Sequence, residues 1–65
     1  MASYQIICRL DNENQRRIFK ALAFDTVTAQ ELSGGFWKVT LEENSEAALD
    51  AAIMKNYDSI MALMN

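Results

Sequence analysis

Apolar positions recur first with period two and later with the helical period, and this change of rhythm lays out the elements of the chain. Tyr4, Ile6, Cys8 and Leu10 alternate with Gln5, Ile7 and Arg9, which predicts a half-buried first strand. Asp11 follows as a candidate N-cap, with Glu13 in the first turn where the helix dipole favours an anion. A helix is expected from about Asn12 to Phe24. Ile18, Ala21 and Leu22 make its inner stripe, with Phe19 or Phe24 at the edge and Arg16, Arg17 and Lys20 toward solvent. The β-branched run Thr26-Val27-Thr28 opens a second strand that ends near Leu32. Ser33-Gly34-Gly35 supplies the positive-φ residues of a tight hairpin turn. Phe36 to Glu42 reads as a third strand, with Trp37, Val39 and Leu41 on one face and Lys38, Thr40 and Glu42 on the other. Asn44 or Ser45 then caps a last helix, with Glu46 in its first turn.

The order is β-α-β-β-α, an α+β fold in one small domain over residues 1–65: a three-stranded antiparallel sheet with two helices on one face. It reads as a split β-α-β arrangement without its final strand. Such a sheet keeps an unpaired edge and a thinly covered second face. Exposed edges invite pairing with another chain, so a two-chain sheet or sheet-to-sheet stacking would complete the fold.

The last helix carries the clearest sign of a partner. At about 100° per residue, Leu49, Ala52, Ile53, Tyr57, Ile60, Leu63 and Met64 form one stripe. Met54 and Met61 fall on its flank and widen the apolar arc to roughly 200°, where a surface helix with one neighbour needs ~100°. A sheet of this size covers the stripe but not the flank. Methionine-rich faces adapt to partner surfaces, and Met54, Tyr57, Met61 and Met64 are the expected protein-partner interface of a homo- or heterodimer.

Length points the same way. A chain of 65 residues buries only ~60% of the surface it exposes when unfolded, and folds this small usually need a staple. Cys8 is the only cysteine and there is no histidine, so an intrachain disulfide is impossible and a structural zinc site lacks its ligands. Oligomerisation is the staple left over. The net charge of −3 favours solubility and argues against a nucleic-acid coat protein, which binds by neutralising phosphates. There is no apolar run of ~20 residues and no signal-peptide pattern, and the lone thiol suits a reducing compartment. No membrane association is expected, and the expected location is cytoplasmic.

Little in the chain specifies a chemistry. Cys8 has no histidine base to activate it and reads as a small buried apolar residue. Glu42, Glu43, Glu46 and Asp50 cluster where the helix dipole favours acids, without the glycine-containing loop of an EF-hand. Phosphate-binding glycine loops run from strand to helix, whereas Ser33-Gly34-Gly35 joins two strands. The expectation is therefore no enzyme and no cofactor. The alternative site is a basic patch of Arg16, Arg17 and Lys20, with Arg9 near it, for nucleic acid; Lys38, Phe36 and Trp37 would add a stacking surface. A third reading, an inhibitor that docks on another protein, belongs to the same physical class as the first.

With this order in place, the chain resembles the small dimerising subunit of the KEOPS tRNA-modifying complex. Glu13 to Leu22 is similar to that family's first helix, and Glu42 to Ala52 to its approach to the last helix. Where the family has Leu-Arg-Ala followed by an Asn, this chain reads Leu49-Asp50-Ala51, with Met54 in the place of the Asn. The resemblance implies a divergent paralogue without catalytic residues of its own. It would serve as a dimerisation partner in tRNA threonylcarbamoyladenosine modification, meeting nucleic acid through a complex.

Overall fold

Val39 and Leu41, in the middle of the third strand, have no exposed surface, and the other elements are arranged around them. In a computed structural model describing residues 1–64, the elements are β1 (Ala2–Arg9), α1 (Glu13–Lys20), β2 (Thr26–Glu31), β3 (Phe36–Glu43), α2 (Glu46–Lys55) and α3 (Tyr57–Met64). The sheet order is β1-β3-β2, with both pairings antiparallel. This is the split β-α-β arrangement with β3 inserted between two parallel strands. Among the described residues no fourth strand lies along the free edge of β1.

Register sorts the side chains. Ile6 lies opposite Val39 and Val39 opposite Ala29, while Tyr4, Leu41 and Val27 form the next row. Paired residues share a face, so these rows and Cys8 face the helices. Leu10, Leu22, Leu49, Ile60 and Leu63 complete the core from that side. The outer face is the Gln5-Ile7-Arg9 side of β1 with Phe36, Lys38 and Thr40, and no helix covers it. Between β2 and β3, Gly34 and Gly35 hold φ of 74° and 80°, a left-handed backbone that glycine adopts without steric cost. Leu32 N–H donates to Phe36 O at 2.8 Å and closes the turn.

Three helix boundaries differ from expectation, and Asn56 bears on two of them, the end of α1 and the break in the last helix. The N-cap of α1 is Asn12, not Asp11: its Oδ1 accepts from Gln15 N–H at 2.8 Å. The helix stops at Lys20, four residues before Phe24, and Leu22 reaches the core from the loop beyond it. Ala21, expected on the inner stripe, is the exposed C-cap. The expected single last helix is two helices broken at Asn56, which has φ −103° and ψ 16°. Asn56 is buried. Its Oδ1 accepts from Ala23 N–H at 2.9 Å, and its Nδ2 donates to Ala23 O at 3.1 Å and to Ala52 O at 2.7 Å. The amide thus pairs both the N–H and the C=O of Ala23, where extending α1 to Phe24 would pair only the N–H. It also takes a carbonyl of its own helix.

Asn56 further explains a correction to the core. Leu49, Asn56 and Leu63 are spaced seven apart, so they run along one line of the helix with only ~20° drift per step. The buried stripe is centred on this line. Tyr57 and Met64, expected within the stripe, therefore fall to its side and are exposed. Ser45 caps α2, its Oγ accepting from Ala48 N–H at 3.1 Å.

Asn56→Leu keeps the volume but removes the three hydrogen bonds of the buried amide, each contributing about 0.5–1.5 kcal/mol net. Urea denaturation is expected to show a clearly lowered midpoint. An unchanged midpoint would remove Asn56 from its role as the tie between the two helical segments.

Candidate functional site

Among the described residues, four of the nine exposed large apolar ones lie on the outside of α2 and α3; the others are Met1, Tyr4, Ile7, Leu32 and Phe36. Met54 is 75% exposed, Tyr57 54%, Met64 49% and Met61 39%. In α3, Ile60 and Leu63 turn into the core, while Tyr57, Met61 and Met64 lie within about 60° of one another on the flank, at 100° per residue. Met54 precedes them on α2, and with Lys55, Tyr57 and Asp58 it lines a shallow depression where the two helices meet. All four residues expected at a partner interface are at the surface. Their backbone is held from beneath by buried Leu49, Asn56, Ile60 and Leu63.

Two exposed apolar residues on β1 escaped the sequence reading. Tyr4 is on the helix-facing side yet remains exposed, because β1 is an edge strand with no neighbour beyond it. Ile7 is on the outer face among polar neighbours and is 50% exposed. An apolar residue on the polar phase of an alternating strand was the available signal.

The basic residues are not all brought together. Arg16, Arg17 and Lys20 border one depression on α1 together with Glu13. Arg16 is partly engaged, its Nη1 donating to Leu10 O at 3.2 Å across the β1–α1 connection. Arg9 belongs to another surface, the outer sheet face. There its guanidinium lies 4.5 Å from the centroid of the Phe36 ring, and Nη1 is 3.8 Å from Asp11 Oδ2. The alternation of β3 puts Lys38 on that face as well, but turns Trp37 to the other side against the core. The expected stacking surface is therefore reduced to Phe36 beneath Arg9.

Neither remaining candidate gathers reactive groups. Cys8 is buried, and desolvation raises its thiol pKa above the ordinary value, away from a nucleophilic thiolate. In the acidic segment, Glu43 Oε2 accepts from Asp25 N–H at 2.6 Å and fastens the start of β2 to the end of β3. Among the described residues, no three His, Cys, Asp or Glu side chains are placed to hold a metal ion. No helix of the described residues is long and apolar enough to cross a membrane.

No family model matches the chain, and neither a curated protein nor a solved structure matches it.

The raised thiol pKa gives a signed expectation. The folded chain holds the Cys8 proton more tightly than the unfolded chain does, so ionisation favours unfolding. This contribution to stability is complete below the unfolded thiol pKa, about 8.5, and is lost as pH rises through the raised folded value. Unfolding free energy measured from pH 7 upward should fall more steeply for the native chain than for Cys8→Ala. Parallel slopes would show that the thiol ionises equally in both states.

Proposed function

We propose that the protein is a non-enzymatic accessory subunit that acts by protein–protein contact through the exposed flank of α2 and α3. One observation carries the reading: Met54, Tyr57, Met61 and Met64 are exposed on helices whose opposite side builds the core. Covering such a surface releases about 25 cal/mol for each Å² of apolar area taken from water. Methionine side chains repack to fit what covers them. The firm seating of the helices on the sheet means that little backbone ordering must be added on binding. The resemblance to a dimerising subunit supplies the setting, a cytoplasmic tRNA-modification assembly. Affinity capture from the native cell tests that setting by recovery of a kinase-like enzyme.

The basic depression on α1 is what favours the alternative, a nucleic-acid module. Replacing Arg16, Arg17 and Lys20 together by Gln is expected to leave the fold intact, with a loss below about 2 kcal/mol mainly from the Arg16 hydrogen bond. Association through α2 and α3 should be unchanged. RNA binding with a steep salt dependence in the native chain, abolished in this variant, would put the alternative first.

The test of the main reading is the double variant Met54→Glu/Met61→Glu. Each unpaired charge buried in an interface costs several kcal/mol, so association should be lost while the helical circular-dichroism signal persists. Leu63→Glu, which strikes the core, should unfold the chain. If the double methionine variant unfolds as completely as Leu63→Glu, the flank belongs to the folding core and the reading fails.

A further inference from the structure

The hydrogen-bond phase of the sheet shows which backbone groups are free. Leu32 donating to Phe36 makes that pair a bonded one, and bonded pairs alternate along antiparallel strands. The same phase carried across β3 turns Trp37, Val39 and Leu41 toward Cys8, Ile6 and Tyr4 of β1. It leaves the N–H and C=O groups of Ser3, Gln5, Ile7 and Arg9 pointing out from the free edge of β1. These are the groups that a fourth strand beside β1 would engage.

That edge also has a roof. α2 packs over β1 and β3, α3 over β1, and α1 against α3. Ala23, on the connection from α1 to β2, is bonded to Asn56 at the start of α3, which puts the side of α3 that meets α1 toward β2. With Ile60 and Leu63 directed into the core, the helical sense of α3 places Tyr57, Met61 and Met64 on the opposite flank, the one over the free edge of β1. The edge of β2 has free backbone groups too, but the helix packing over the sheet is on β1 and β3.

The geometry points to a slot for one more strand, formed by the outer edge of β1 and the flank of α3, and filled by β1 of a second copy of this chain. The proposal rests on reading that flank as a contact surface and names what covers it. The slot asks for a strand with apolar residues under the roof and polar residues on the outer face, and β1 has this alternation itself. Charge favours self-pairing. The chain carries −3 overall, yet Ser3, Gln5, Ile7, Tyr57, Met61 and Met64 are uncharged and the one charged edge residue, Arg9, falls opposite the partner's Gln5, so two copies meet here without opposed like charges. Ile7 sets the register. A two-fold axis through it places Ile7 against the partner's Ile7 on the outer face and buries both. Arg9 then lies beside the partner's Gln5, and the bonded pairs at residues 5, 7 and 9 form six hydrogen bonds at about two per pair. The result is one continuous six-stranded sheet, with the two α3 flanks meeting above the seam.

The full chain in sedimentation equilibrium at micromolar concentration should have twice the monomer mass. Ile7→Pro removes an outward N–H without touching the β3 ladder, as proline is tolerated on edge strands, and should halve the mass while keeping the circular-dichroism spectrum. Ala29→Pro, the same change on the β2 edge, should leave the dimer. Since Ile7→Pro could unfold the chain, Ile7→Cys provides a second reading: under mild oxidation it should give a covalent dimer, because Cα atoms of a bonded pair lie ~5.5 Å apart, within disulfide reach. Ala29→Cys should give none. A monomeric native chain, no cross-link at residue 7, or a cross-link at residue 29 instead would overturn the proposal. If Met54→Glu/Met61→Glu abolishes association but Ile7→Cys does not cross-link, the contact flank stands and the β1 slot falls.

Discussion

The helical side of the molecule depends on the side-chain amide of Asn56. It holds the backbone of Ala23 at both its amide and its carbonyl, and takes Ala52 O within its own helix. A buried amide is stable only when its polar atoms find partners, and here they are found on segments 33 residues apart. The tie ends α1 early, brings the loop after it onto the helix pair, and marks the break between α2 and α3. With Asn56 on the buried line, Ile60 and Leu63 turn inward while Tyr57, Met61 and Met64 are left outside. The exposed apolar flank of α3 thus follows from the placing of one polar residue in the core.

The strands were largely legible. Alternation at Tyr4 to Leu10 and at Trp37 to Leu41 is a strong signal, and the paired glycines mark the one turn that needs positive φ. The helix ends were not, for a stated reason. Asn56 is polar, so an apolar count passes over it, and its partner Ala23 is a neutral residue 33 positions away. Apolar spacing alone then extends α1 to Phe24, fuses α2 with α3, and assigns Tyr57 and Met64 to the core. Asp11 and Asn12 are both good caps, and only the hydrogen bond to Gln15 decides between them.

The candidate surface was legible in part. The width of the apolar arc singles out Met54, Tyr57, Met61 and Met64, and each is exposed. The same reasoning could not place Arg9, because proximity in sequence to α1 conceals that β1 turns this side chain to the opposite face of the sheet. There the Phe36 ring and Asp11 engage it. Nor does an apolar count separate Ile7 from its buried neighbours, although strand parity puts it outside. Two exposed features, an apolar flank and an open strand edge, occur together on this three-stranded sheet, with α3 packed over the edge strand β1. Short sheets normally protect such edges with lysine, proline or a bulge, and β1 carries none of these between Ser3 and Arg9.

Residue-resolved amide exchange at low and high protein concentration tests the central claim most directly. The outward-facing amides of Gln5, Ile7 and Arg9 should exchange rapidly in dilute solution and become protected as concentration rises, while Val27 and Ala29 on the other edge stay unprotected throughout. Exchange at Gln5, Ile7 and Arg9 that is independent of concentration would contradict the account.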